Sequence, residues 1–348
     1  MEIRGNTRVF GILGYPVKHS LSPLMHNLAF HQNKYPGVYI PLEVKETGSF
    51  LRKALLQMNL GGLSVTIPHK IWAYQMADRS DRLSQVCGAS NTILFHHKRG
   101  RTELEARNSD GPGAIQALKD QTSIKGKTVL ICGYGGSARA IAAQLLLSER
   151  PGEVYITGRN PGKIKAFIRD LKKQFRNAEL YALTGDATAL PATDSQGSGF
   201  RKSSSKAGAS RSPKSDKRKS TPASATSAVV AKQGRLPDII IQTTPLGMSG
   251  TGKNHRGGAG NAKINIEPEL PLSPELIGPN TTVFDIVYNP METPLIALAR
   301  KKKCKVVYGY SMLLYQAVFQ FRWFTGLEPP VEKWRKLLVN DLKQKAKS

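Results

Sequence analysis

Apolar and polar positions along this chain follow two periods. Short runs rich in Val, Ile and Leu read as buried strands, and longer stretches with apolar residues three and four apart read as amphipathic helices. In the first third, the runs predict strands over 8–13, 38–42, 62–66 and 91–96, with helical patterns over 23–32, 47–58 and 71–78 between them. The alternation restarts with a strand over 128–132, a helix over 137–148, a strand over 153–157, a helix over 162–175, and strands around 179–183 and 238–243. Later strands are expected over 283–287 and 305–307, then helices over 313–324 and 331–342. Strands separated by crossover helices imply the α/β class, in two successive units. In the last helix Trp334, Leu337, Leu338 and Leu342 recur at helical spacing, which predicts a packed terminal helix rather than a membrane anchor.

Length and charge refine this picture. The 348 residues suit two domains of roughly 150 residues each. No apolar run approaches the roughly 20 residues that a membrane-spanning helix needs. Lys and Arg number 51 against 25 Asp and Glu, a formal charge of +26 that attracts anions nonspecifically. Part of the excess is local. Residues 194–235 are dominated by Ser, Lys, Arg, Ala and Gly and hold ten Lys and Arg against Asp194 and Asp216, so they read as a disordered basic insertion able to touch polyanions. A Gly/Asn/Lys-rich stretch over 249–263 reads as a surface loop. Cys87, Cys132 and Cys304 are odd in number and widely spaced, and residues 1–10 lack the apolar core of a signal peptide, so a reducing cytoplasm is the expected location. The seven histidines show no ligand spacing, and no metal is expected.

Two segments carry chemistry. Thr128 to Cys132 runs into Gly133-Tyr134-Gly135-Gly136-Ser137-Ala138, a Gly-rich turn with Gly133, Gly135 and Ala138 in the three positions of a dinucleotide fingerprint. Gly136 and Ser137 begin the following helix, whose N-terminal amides suit a pyrophosphate. The next strand ends at Gly158-Arg159-Asn160, where an NAD site usually places an acid. The Arg159 guanidinium suits a 2′-phosphate, so NADP is preferred. Upstream, Ser64-Val65-Thr66-Ile67-Pro68-His69-Lys70 closes a strand and opens a helix, with Pro68 expected in the first turn. A lysine there opposes the helix dipole, so Lys70 is a candidate for function. Asp110, in Asn108-Ser109-Asp110-Gly111-Pro112-Gly113, is either a second candidate or an ordinary N-cap.

Together these segments resemble the shikimate dehydrogenase family, including its quinate/shikimate dehydrogenase relatives. Ser20-Leu21-Ser22-Pro23 is similar to the family's S-x-S-P, Ser64 to Lys70 to N-V-T-x-P-x-K, Gly88 to Thr92 to G-A-x-N-T, and Asn108 to Gly113 to N-T-D-G-x-G. Pro245 to Met248, Asp285 to Pro290 with Thr293-Pro294-Leu295, and Tyr308 to Ala317 match later family motifs, and about 270 residues are covered. The resemblance implies NADPH-linked interconversion of 3-dehydroshikimate and shikimate, the NADP(+) shikimate dehydrogenase reaction, in a cleft between two domains. It makes Lys70 and Asp110 the catalytic pair, Ser20 and Ser22 carboxylate-binding hydroxyls, and Thr66, Asn91 and Gln316 ring-hydroxyl contacts. Tyr288 falls near the carboxylate end and Gly309 on the cofactor side. Ser22 is also expected to cap its helix.

The implied division is a substrate-binding catalytic domain over 1–114, completed by helices over 311–348, and a Rossmann-type NADP-binding domain over 115–308. Monomer and homodimer stay open. The chain departs from the family pattern at Ser64 (for Asn), Ser109 (for Thr), Ser90, Ser311 and Gly158 (for Asn). The first removes an amide that normally reaches substrate, which leaves a quinate preference open. A non-catalytic binding protein using the basic insertion explains the charge but not the retained Lys70, Asp110 and Gly-rich turn.

Overall fold

The computed structural model describes residues 3–98, 100–184, 187–191, 235–248 and 269–345. Most of the expected basic insertion and the whole loop over 249–263 lie outside them. The first unit runs β1 (Arg8–Gly14), α1 (Ser22–Gln32), β2 (Gly37–Glu43), α2 (Ser49–Gln57), β3 (Leu60–Val65), α3 (Lys70–Met76), β4 (Arg79–Ser80), α4 (Arg82–Cys87), β5 (Thr92–Lys98), β6 (Arg101–Arg107) and α5 (Asp110–Lys119). Its sheet has the order β2-β1-β3-β5-β6-β4. β1, β2 and β3 are parallel, whereas β5 runs antiparallel to both β3 and β6. The sequence pattern missed β4, α4 and β6. In β6, Arg-Thr-Glu-Leu-Glu-Ala-Arg carries only Leu104 and Ala106 as apolar residues, and pairing with β5 rather than hydrophobicity makes it a strand.

The second unit runs β7 (Thr128–Cys132), α6 (Gly136–Gln144) with a π-helical turn over 145–149, β8 (Glu153–Thr157), α7 (Pro161–Gln174), β9 (Leu180–Leu183), β10 (Ile239–Gln242), β11 (Thr282–Asp285), α8 (Pro294–Lys301) and β12 (Lys305–Tyr308). All its strands pair in parallel, in the order β12-β11-β10-β7-β8-β9. This is the doubly wound order in which strand progression reverses between β7 and β10, the switch point where such sheets bind ligands. Apolar side chains fill both faces of β7, which is why Thr-Val-Leu-Ile-Cys reads as a continuous run. Leu190 and Arg235 form an antiparallel bridge, and Arg235 ion-pairs with Glu153. Arg235 therefore belongs to the folded unit, and the excursion begins and returns at one place.

α9 (Gly309–Thr325) and α10 (Val331–Lys345) close the chain. Leu314, Ala317, Phe321 and Phe324 of α9 and Trp334 and Leu338 of α10 share a buried cluster with Phe10, Phe30 and Tyr39 of the first unit, so the terminal helices pack back onto the first sheet. α5 is the element between the units. A side-chain carbon on Gly111 would lie 2.8 Å from the Ala140 carbonyl of α6, and one on Gly113 would lie 2.9 Å from the Gln316 amide of α9. The two glycines let α5 approach both helices closely, and Asp110 begins that helix.

Candidate active site

Lys70, Asp110, Asn91 and Gln316 converge at one place. Lys70 is the first residue of α3, and Pro68 lies ahead of the helix, not in its first turn. The Lys70 ammonium donates to Asp110 Oδ2 at 2.6 Å. Its carbon stem is partly covered, with the side chain 30% exposed against 6% for Asp110. The unfavourable cation at the start of α3 is thereby answered by a carboxylate from another element. Asp110 does not act as an N-cap. It is the first residue of α5, following Ser109, and its other oxygen accepts Asn91 Nδ2 at 2.8 Å and Gln316 Nε2 at 2.7 Å. Three donors from β3–α3, the β5 entrance and α9 hold one buried carboxylate, while Asn108 Oδ1 accepts the Asp110 backbone N–H.

The remaining expected substrate residues lie on the neighbouring segments. Ser20 Oγ accepts the Ser22 backbone N–H at 3.2 Å. Ser22 is inside α1 rather than capping it, because the helix starts there with Leu21 as the flanking residue and no side-chain cap. Thr66 follows β3, with its backbone tied to Leu13 and His69. Tyr288 stands on the loop after β11, 43% exposed, and makes no hydrogen bond with a described residue. The Ser64 hydroxyl is bonded within the protein. It accepts the Tyr39 hydroxyl at 2.7 Å and donates to Gln320 Oε1 at 2.8 Å. Tyr39, Thr92 and Gln320 were not singled out in the sequence, and Ser109 only as a departure from the family pattern. For Gln320 a signal existed: it lies one turn beyond Gln316 in an otherwise apolar helical stretch.

The Gly-rich turn occupies the switch point of the parallel sheet. Gly133 has φ +119°, and a Cβ there would sit 2.3 Å from Thr243 Oγ1 at the end of β10. Only glycine fits that position. Gly135 and Gly136 instead have open space where side chains would stand, and no side chain caps the N-terminus of α6. Backbone amides therefore face that space, an arrangement that fits a pyrophosphate. Ser137 is half-buried in the first turn, and Ala138 is fully buried against the sheet. Arg159, exposed beyond β8, has no carboxylate partner among the described residues. The neighbouring Gly158 has a physical reason: any Cβ there would come within 2.9 Å of the Tyr134 ring. Gly309 starts α9 directly over the backbone after β11; a side-chain carbon there would lie 2.4 Å from the Val287 carbonyl, so the glycine lets α9 approach.

Cys87 lies within reach of charges from both units. Its pKa is pushed up to about 12 chiefly by burial, with Asp110 adding to the rise and Arg139 of α6 and Lys70 opposing it. The thiol is protonated near neutrality and is no nucleophile. Among the described residues no group of three or more His, Cys, Asp or Glu is placed to hold a metal ion, and no helix is long and apolar enough to cross a membrane.

Residues 12–93 match the family profile described as the shikimate dehydrogenase substrate binding domain, and residues 309–338 match the shikimate 5′-dehydrogenase C-terminal domain. A shikimate dehydrogenase (NADP(+)) of Methanobrevibacter smithii is 33% identical over 343 residues, 98% of this chain and 99% of the relative. The enzyme of the same name from Leptospira interrogans is 32% identical, across 94% of this chain and 92% of its own. Among solved structures, a shikimate dehydrogenase in complex with NADP+ superposes with a TM-score of 0.72 at 27% identity, covering 98% of both chains. A quinate dehydrogenase from Corynebacterium glutamicum, at 20% identity and TM-score 0.70, shares the fold.

Proposed function

This chain belongs to the shikimate dehydrogenase family, and we propose that it reduces 3-dehydroshikimate to shikimate with NADPH, reversibly. The observation that carries this reading is the 2.6 Å Lys70–Asp110 pair, whose buried carboxylate is held by Asn91 and Gln316. When bound, the nicotinamide cofactor supplies the hydride. The protein supplies the proton and the alignment. Lys70 donates its proton to the carbonyl oxygen as that oxygen becomes a hydroxyl, and Asp110 fixes the ammonium and binds the ring. Ser20 and Ser22 take the substrate carboxylate, with Tyr288 at that end, and Thr66, Asn91 and Gln316 take ring hydroxyls.

Gly133, Gly135, Gly136, Ser137 and Ala138 would hold the pyrophosphate, Arg159 the 2′-phosphate, and Gly309 the nicotinamide side. The substrate domain spans 1–114 with 311–348, and the cofactor domain spans 115–308. The basic insertion adds a nonspecific attraction for polyanions, and the three free cysteines accord with a reducing cytoplasm.

Oxidation of quinate is the second reading, favoured by Ser64, which offers a short hydroxyl already bonded to Tyr39 and Gln320. Initial rates with shikimate and quinate, each with NADP and NAD, test both. Shikimate with NADP should give the highest kcat/KM. Turnover of none of the four combinations would overturn the enzymatic reading.

A further inference from the structure

A continuous chain of hydrogen bonds runs behind the Lys70–Asp110 pair. Tyr39 O–H meets Ser64 Oγ at 2.7 Å, and Ser64 Oγ meets Gln320 Oε1 at 2.8 Å. Gln320 Nε2 meets Thr92 Oγ1 at 3.0 Å and the Asn91 carbonyl at 3.2 Å. Thr92 Oγ1 meets Asn91 Oδ1 at 2.9 Å, and Asn91 Nδ2 meets Asp110 Oδ1 at 2.8 Å. Tyr39, Ser64, Gln320, Thr92, Asn91 and Asp110 are all buried.

Two backbone atoms determine which way every proton points. The Asn91 carbonyl can only accept, so Gln320 must turn its amide nitrogen toward it and its oxygen toward Ser64. Ser64 must then donate to that oxygen, and its remaining lone pairs accept the Tyr39 proton. At the other end the Ser109 N–H can only donate, at 2.8 Å to Asn91 Oδ1, so the Asn91 nitrogen must face Asp110. Thr92, receiving from Gln320, gives its own proton to Asn91 Oδ1. Each member is a donor to the next, ending on the carboxylate. Buried chains with a single polarity stiffen their members, because a reversal of one member leaves unpaired polar groups in the core.

We infer that Gln320 is a positioning residue for the reaction: by holding Thr92 and the Asn91 backbone, it works with the Ser109 N–H to restrain the Asn91 amide on Asp110, and so steadies the carboxylate that aligns Lys70. Ser64 is part of the same device, since its hydroxyl holds Gln320 Oε1 and so leaves the amide nitrogen facing Thr92 and the Asn91 carbonyl. The inference rests on the dehydrogenase reading for its kinetic consequence, but not for the hydrogen-bond chain itself.

Gln320→Met keeps the volume and removes the amide, and Thr92→Val removes the same link from the other side. Each should lower kcat about tenfold and raise the KM for shikimate about threefold, since Asn91 is released from one of its restraints, while the KM for NADP stays within twofold. The double variant should be no slower than the slower single one, because both changes break one chain. A structural role alone would lower the active fraction, leave both KM values unchanged and make the losses multiply, and that outcome would overturn the inference. The Asn91 side-chain amide in asparagine-labelled protein, assigned with Asn91→Asp, supplies a readout independent of turnover. Its protons should exchange with water slowly in the native chain and at least tenfold faster in Gln320→Met. Unchanged exchange would overturn the positioning role even if the native enzyme turned over, whereas a native chain inactive on shikimate would overturn the reaction and leave the exchange result to judge the chain. Should Gln320→Met not fold, Thr92→Val alone decides: native kinetics and native exchange would refute the link.

Discussion

His26 and Asp285 should make this protein's stability respond to pH in opposite directions. His26 lies in α1, stacked on Tyr39 with centroids 4.4 Å apart and planes 6° apart, with Trp334 at 5.4 Å and Phe324 at 5.9 Å. Neither ring nitrogen has a hydrogen-bond partner among the described residues. Burial without a partner penalises the charged ring and lowers its pKa from 6.5 to about 3. Asp285, at the end of β11, is raised from 3.8 to about 6 by burial, against the pull of hydrogen bonds from Thr293 and the Val287 amide.

The unfolded chain binds the extra proton at His26 between the two values, so stability from this group is complete above 6.5 and declines as pH falls toward 3. At Asp285 the folded chain binds the extra proton, so stability is complete below 3.8 and is lost as pH rises through 6. From pH 7 to pH 5 the linkage relation gives a loss of about 2 kcal/mol from His26 and a gain of about 1 kcal/mol from Asp285. The second offsets part of the first in the native chain. His26→Phe, which keeps the ring stack, should therefore gain about 2 kcal/mol relative to the native chain over that range, and Asp285→Asn should lose about 1 kcal/mol. Urea unfolding at half-unit pH steps measures both differences. A His26→Phe curve parallel to the native one would refute the claim that the buried ring stays neutral.

Three further outcomes are expected. Lys70→Ala should lower kcat by roughly 100-fold or more with little change in shikimate binding; the two amide donors left on Asp110 should keep the protein folded, and a rate within about threefold of native would remove Lys70 from the chemistry. Arg159→Ala should reduce the ratio of kcat/KM for NADP over NAD by roughly 10- to 100-fold, the equivalent of about 1.5 to 3 kcal/mol for hydrogen bonds to a charged group; an unchanged ratio would make Arg159 a bystander. Replacing residues 192–234 by a short Gly/Ser bridge should preserve kcat, since Leu190 and Arg235 already pair across the junction. The same deletion should weaken retention on heparin, because nine Lys and Arg leave with two Asp.

Local pattern alone determined much of this protein. The strand over 128–132 and the strand over 153–157 occupy the residues expected of them, because a buried parallel strand is a continuous apolar run bounded by turn residues. The glycines after β7 were legible for the same reason, since a turn with positive φ at Gly133 admits nothing else. Lys70 stood out as a cation at a helix start. What the tertiary structure decided depends on residues far apart in sequence. From its own segment Asp110 could be a cap or a candidate for function; the fold places it inside α5 and brings Lys70, Asn91 and Gln316 against it. The partner of the Ser64 hydroxyl, Gln320, lies 256 residues later in the chain. Hydrophobic periodicity reports which face of an element is buried, but a buried polar side chain is defined by the partner that satisfies it. That partner is chosen by how helices and sheets pack, which no local window contains.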